Sequence, residues 1–173
     1  MTSVVPIPTD EPARLAALQR LHLLDTPPED RFDRLIRRAR AELEVPIALI
    51  SLVDTDRLWF KSCQGLTVSN SPRDTSFCAY TILQMDTLVI PDATEDPRFQ
   101  NSPLVAGPPF LRSYAGRPLQ SPDGYRVGTL CVIDLVPRQF SPEQIQNLEE
   151  LAGLVEIEVQ QVRQQRGAGA PPL

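Results

Sequence analysis

The stretch "IALISLVDTDRLWFKSC", Ile47 to Cys63, limits the possible folds more than any other part of the chain. Pro46 precedes it, and a near-continuous apolar run then leads to Asp54, which reads as a strand. Only Thr55 and Asp56 separate this run from the next, "RLWFKSC", so the two pair as an antiparallel hairpin. "LWFKS" alternates, which sends Trp59 and Phe60 to opposite faces of the sheet.

The flanking segments supply helices and more strands. Residues 1–9 carry Pro6 and Pro8 and read as a flexible arm. Asp10 can cap a helix that tolerates Pro12 in its first turn, with Leu15, Leu18, Leu21 and His22 at helical spacing. "LLDTPPED" ends it, because consecutive prolines cannot continue a helix. A second helix from near Pro28 buries Phe32, Leu35, Ile36, Ala39 and Leu43, and stops at Pro46.

Beyond the hairpin, "LTVSNSPRD" is a polar loop, "TSFCAYTILQM" a short helix capped near Thr75 or Ser76, and "TLVIPD" a strand. "NSPLVAGPPF" is long for a connection and rich in proline and glycine, a combination frequent in functional loops. "LRSYAGRPLQ" and "YRVGTLCVID" are strands joined by "SPDG", with Pro122 at the second position of a type I turn. Gly128 inside the later strand marks a bulge or a close backbone approach. A long final helix is capped by Ser141 and Pro142, and 167–173 read as a disordered tail. The expected class is α+β, one domain over residues 10–166. A central antiparallel sheet of five to six strands carries the N- and C-terminal helices on one face and short helices and loops on the other.

Composition removes several functions. A net charge of −5 leaves no basic excess to displace counterions from phosphate, so no nucleic-acid partner is expected. The basic run "RLIRRAR" reads as a solvated helix face. No stretch approaches the ~20 apolar residues of a membrane span, and the N-terminus lacks the pattern of a signal peptide. Three well-separated cysteines fit a reducing, cytoplasmic setting better than a disulfide framework. With His22 as the single histidine, neither a metal site nor a Ser-His-Asp arrangement is expected.

Six segments in order, "RLAALQRLHLLDTPPEDRFDRL", "VPIALISLVDTDRLWFKSCQGL", "TSFCAYTI", "LVIPDATEDPRF", "RSYAGRPL" and "GYRVGTLCVID", resemble the GAF domain. More narrowly they resemble the bacterial subgroup found alone or ahead of output domains such as cyclases and histidine kinases. The resemblance covers residues 10 to 165. It implies a sensory module that holds a small ligand between the sheet and a helix-loop layer and signals through its terminal helices, often across a parallel dimer. One departure stands out: the subgroup commonly has histidine where this chain has Tyr80. Bilin-binding relatives attach their chromophore at a cysteine followed directly by histidine, whereas Cys78 is followed by Ala79. Bilin and histidine-ligated haem are therefore disfavoured, and the ligand is left unknown.

Within that frame the candidate pocket residues are Trp59, Phe60, Phe77, Cys78, Tyr80, Asp92, Asp96, Phe99, Phe110, Arg112 and Tyr114. Cys78 sits near a helix start with Arg73 close by, which can activate a thiol. The blander alternative, a small apolar residue packed between Phe77 and Tyr80, is preferred. Cys63 and Cys131 read as core. Arg112 and Tyr114 share parity, so a guanidinium beside an aromatic can hold a planar anion, unless Arg112 pairs with Asp92 or Asp96. Those two carboxylates can instead cap the turns that follow them. Phe99 and Phe110 bracket the proline-rich loop as lid or as anchors. An enzyme is not expected. The alternatives kept open are a thiol-dependent free methionine sulfoxide reductase on the same scaffold and a ligand-free dimerisation scaffold.

The last helix carries Ile145, Leu148, Ala152, Val155, Val159 and Val162 at alternating intervals of three and four. Such a seam is what a partner helix wants, and Leu151, Leu154 and Ile157 form an adjacent stripe. The expectation is a homodimer through these terminal helices, with a signalling protein as a possible further partner.

Overall fold

A computed structural model describes residues 5–168. Most of the expected arm and tail, residues 1–4 and 169–173, lies outside the described residues. In chain order come α1 (Glu11–Arg20), α2 (Asp30–Leu43), β1 (Ile47–Val53), β2 (Arg57–Gln64), β3 (Asn70–Pro72) and α3 (Phe77–Thr81). They are followed by β4 (Leu88–Ile90), α4 (Pro103–Ala106), β5 (Ser113–Gln120), β6 (Arg126–Asp134) and α5 (Pro142–Ala168). The strands form a six-stranded antiparallel sheet in the order β3-β2-β1-β6-β5-β4. The sheet itself departs from expectation at one place: the segment read as a polar loop contributes the short strand β3, paired to the start of β2.

Strand β1 is buried along its whole length, which explains its unbroken apolar run. Ala48, Ile50 and Leu52 point into a core shared with α1, α2 and α5. Ile47, Leu49 and Val53 point into a second core under α3 and the loops. The sheet thus separates two apolar layers. Gly128 lets β1 and β6 approach closely, since a Cβ there would collide with the Ser51 carbonyl.

A bulge in β2 sets much of the layout. Ile50 opposes Ser62 while Ser51 opposes Phe60, so Lys61 is the extra residue. Trp59, Lys61 and Ser62 therefore all reach the helix side, and Phe60 reaches the other. The Lys61 ammonium is sequestered there and donates to Thr26 Oγ1 and the Pro27 carbonyl at 2.7 Å each, and pairs with Glu29 at 2.7 Å. A buried cation survives only with such partners. The "DTPPE" segment between α1 and α2 is in effect a receptacle for that ammonium.

The helix layer closes with ion pairs at its rim, Arg34 to Glu158 and Arg166 to Glu29. Arg34, Arg37, Arg38 and Arg40 are exposed, as a solvated face should be. His22 corrects its expected place: it lies just past α1, exposed, with a left-handed backbone. Asp10 sits at the start of α1 but its side chain makes no capping hydrogen bond. Ser141 does cap α5: its Oγ accepts from Gln144 N, and the Gln144 side chain accepts from Ser141 N in return. Among the described residues no helix is long and apolar enough to cross a membrane.

The expected seam on α5 requires the largest correction. Leu148, Ala152, Val155, Val159 and Val162 are buried in the chain's own helix-side core, with the half-buried Ile145 packed against it. A three-four spacing suits a sheet and a neighbouring helix as well as it suits a second chain. The apolar residues of α5 left facing solvent are Leu154 and Ile157, 38% and 51% exposed.

Candidate functional site

On the loop side the sheet does not meet its covering layer everywhere. A cavity of about 480 Å³ lies between them. Its floor is the face of the sheet carrying Leu49, Leu58, Phe60, Tyr114, Cys131 and Ile133. Ser76, Phe77 and Cys78 form one wall from the start of α3. Leu66, Thr67, Val68, Asn70, Ser71 and Pro72 form another from the β2–β3 connection. Leu104, Pro108, Pro109 and Leu111 of the proline-rich loop close the remainder. Among the described residues no charged side chain lines it, and the volume falls in the range typical of small-molecule sites.

Local chemistry explains why α3 sits at the wall. Ser76 Oγ accepts a hydrogen bond from Ala79 N at 3.0 Å, which starts the helix, and donates to the Arg73 carbonyl. Phe77 then inserts edge-on between Phe99 and Tyr114, with ring centroids 4.2 and 5.2 Å apart. Tyr80 meets Phe99 at 5.1 Å, and the Arg98 guanidinium lies over the Phe99 ring. These aromatics fasten α3 to the segment that follows β4.

At the inner end of the cavity is a cluster of thiols and hydroxyls. The Cys78 and Cys131 sulfurs are 3.9 Å apart. Thr129 Oγ1 donates to Cys78 Sγ at 3.2 Å, and the Tyr114 hydroxyl lies 3.7 Å from it. Ser51 Oγ is 3.0 Å from Thr129 Oγ1, and Thr81 Oγ1 is 2.7 Å from the Tyr114 hydroxyl. The Cys131 thiol and the other hydrogen-bonding groups favour the Cys78 thiolate and lower its pKa against the opposing pull of burial. Burial and the neighbouring Cys78 push Cys131 well up, so Cys78 is the more acidic of the two. Burial also raises Cys63, which stands apart near the Leu66 carbonyl.

The structure divides the expected pocket residues. Phe60, Phe77, Cys78 and Tyr114 line the cavity. Trp59 does not: it packs in the helix-side core, because alternation sent the two aromatics apart and Phe60 took the cavity side. Tyr80 and Phe99 stand behind the wall, and Phe99 is buried as an anchor. Phe110 is 48% exposed and outside the lining.

Asp92 and Asp96 are corrected too. They border a separate surface cleft with Pro91, Glu95, Pro97 and Arg138. Each serves its own turn: Asp92 accepts from Thr94 N, and Asp96 from Arg98 N and the Arg98 guanidinium. Arg112 follows neither expected course. Its guanidinium donates to the carbonyls of Val105 and Leu111 at 3.0 and 2.9 Å, latching the proline-rich loop to itself. The contributions of Leu66, Val68, Leu104, Pro108 and Pro109 carried no sequence signal beyond lying in loops, since a loop residue's facing is set by the fold around it. Among the described residues no group of three or more His, Cys, Asp or Glu could hold a metal.

The model of the GAF domain family matches residues 27–159. A cyclic di-GMP phosphodiesterase of Pseudomonas aeruginosa is 40% identical over 159 residues, which is 91% of this chain and 27% of that protein. The chain thus spans about a quarter of the length of that curated relative. Among solved structures, the GAF domain of a phosphoenolpyruvate-protein phosphotransferase from Coxiella burnetii superposes with a TM-score of 0.68 at 16% identity. That match covers 89% of this chain and 96% of the other. The free methionine-R-sulfoxide reductase of Neisseria meningitidis superposes with a TM-score of 0.62 at 23% identity, covering 96% and 99%. At these identities the shared property is the fold, which by itself transfers no chemistry.

Proposed function

The chain belongs to the GAF domain family of sensory and regulatory modules, and from that premise we propose that it is a non-enzymatic receptor for a small, neutral, mostly apolar molecule. The observation that carries this is the uncharged cavity of about 480 Å³ between the sheet and α3. A cyclic nucleotide or an amino acid brings charges that a site of this depth has to pair, and the lining offers no ion to pair them. The polar groups it does offer, Thr67, Asn70 and Ser71 among them, suit one or two hydrogen bonds that orient a guest. Occupancy then shifts the population of sheet and helix arrangements, and the terminal helices pass that shift to a signalling partner. A second copy of the chain, meeting through the exposed residues of α5, completes the proposal. Its setting is the cytoplasm, consistent with three unpaired thiols.

One feature weighs against a methionine sulfoxide reductase. The substrate is a zwitterion, and the cavity has no charge to meet it. The relative's phosphodiesterase activity belongs to a protein of which this chain spans 27%, so it supports a place in signal transduction and no more than that.

The test is a thermal-shift panel of neutral apolar compounds, cyclic nucleotides and free methionine sulfoxide, combined with native mass spectrometry. Neutral apolar compounds raise the midpoint, by about 2.7 kcal/mol of stability at a hundred times their dissociation constant, while the charged ligands leave it alone. A midpoint unmoved by every compound would sink the receptor reading and favour a scaffold that only dimerises. Turnover of methionine sulfoxide that Cys78→Ser abolishes would establish the reductase instead.

A further inference from the structure

The thiol pair at the inner end of the cavity is part of its lining, but its chemistry points further than shape. We propose that Cys78 and Cys131 form a reactive dithiol that an organic hydroperoxide, admitted by the apolar cavity, converts to a disulfide. This rests on the reading that the cavity admits small apolar molecules.

Four observations lead there. Cys78 and Cys131 both belong to the cavity lining, their sulfurs 3.9 Å apart, with Cys78 4% exposed and Cys131 fully buried behind it, so a guest meets Cys78 first. The cavity is apolar and uncharged, which favours an alkyl or aryl hydroperoxide over hydrogen peroxide. The hydroxyls of Thr129 and Tyr114 stand at 3.2 and 3.7 Å from Cys78 Sγ, placed to stabilise a thiolate and to donate to the departing oxygen. Lastly, the Thr129 and Tyr114 hydroxyls converge on Cys78, while Cys131 is fully buried against it, the arrangement of a nucleophile with a resolving neighbour.

The chemistry balances with the hydroperoxide as oxidant. The Cys78 thiolate attacks the terminal peroxide oxygen, an S–O bond forms and the O–O bond breaks. The electron pair leaves on the alkoxide, which takes up a proton and departs as the alcohol. Cys78 is now a sulfenic acid. The Cys131 sulfur attacks that sulfur, the S–O bond breaks, and hydroxide takes the Cys131 proton to leave as water. A disulfide is about 2.05 Å long, so the sulfurs must close by roughly half their present separation. Cys131 is fixed in a central strand, whereas Cys78 is on a helix of five residues between a turn and a loop. The movement therefore falls on α3, which carries Phe77 and Tyr80 and holds the Thr81 contact to Tyr114.

The full chain, reduced and freed of reductant, is exposed to cumene hydroperoxide or to hydrogen peroxide and followed by thiol titration, intact mass and peptide mapping. The expected result is loss of two of its three thiols and of the mass of two hydrogens. It includes a cross-linked Cys78–Cys131 peptide that dithiothreitol reverses, and a rate roughly tenfold higher for the organic peroxide. In Cys131→Ser, dimedone traps a sulfenic acid on Cys78. Oxidation confined to Cys63, no reaction at all, or equal rates for the two peroxides overturns the proposal. Should the variants fail to fold, the wild-type peptide map alone decides. Cumyl alcohol has the same body without the peroxide: a thermal shift with the alcohol but no disulfide overturns this inference and leaves the receptor standing. Absence of both overturns the two together.

Discussion

At Gly116 the missing side chain is as informative as any present one. An added Cβ would collide with the hydroxyl end of the Tyr114 side chain, two residues back, which reaches across that position toward Thr81 and Cys78. Gly116→Ala is therefore expected to cost about 1–3 kcal/mol, measured by urea unfolding, because a packed site cannot absorb the methyl. Gly153 on α5 is the control: nothing stands near its Cβ position, so Gly153→Ala should gain about 0.5–1 kcal/mol from helix propensity. Glu11 gives a pH signature. Burial alone would raise its carboxyl, but hydrogen bonds from Arg14 and Arg73 prevail and hold it at about 2 against an ordinary 4.5. The unfolded chain takes the proton first, so the stabilisation is complete above pH 4.5 and drains away as the pH falls toward 2. On the order of 2 kcal/mol is lost across that window, and Glu11→Gln should flatten the slope in denaturation curves at stepped pH.

Among the elements, the proline-rich loop and α5 differ most from their sequence appearance. The loop is held by Arg112, whose guanidinium ties it at two carbonyls, and by Leu111 N donating to the Leu104 carbonyl at 2.9 Å. Arg112→Ala should leave global stability within about 1–2 kcal/mol yet speed amide exchange between Leu104 and Leu111, since only the local fastening is lost. A unit change in global stability with exchange unaltered there would contradict the latch. On α5, two stripes have separate roles. Leu148→Ala should cost about 2–5 kcal/mol, because it opens a cavity in the helix-side core. Leu154→Glu with Ile157→Glu touches only exposed positions and should stay within about 0.5 kcal/mol per site. If the chain dimerises as proposed, that double variant turns a dimer into a monomer in light scattering while keeping its fold.

Considered whole, the described residues form two apolar cores separated by one sheet, and the loop-side core is incompletely filled. Strands β1, β5 and β6 contribute to both, so they are the route by which a guest would act on the terminal helices under the proposed reading. A guest should accordingly slow amide exchange in β6 and α5 as well as in the cavity wall. Protection confined to α3 and the proline-rich loop would mean that binding stops at the sheet.

The sequence by itself determined the two-layer α+β architecture, because strand and helix periods are local and the turns at Asp54, Ser121 and Ser141 are spelled out in adjacent residues. It also picked out "TSFCAYTI", of which Ser76, Phe77 and Cys78 wall the cavity. It fixed that Trp59 and Phe60 part company, but not which of them meets the cavity, since alternation has a period and no absolute sign. Nor did it show that the α5 seam is consumed by the chain's own sheet: a heptad-like stripe records what a helix buries, not against whom. Tertiary structure alone brought Cys78 and Cys131, 53 positions apart, to within 3.9 Å, and emptied Arg112, Asp92 and Asp96 from the site. Such juxtapositions are set by how distant segments pack, and packing at a distance leaves no trace in neighbouring residues.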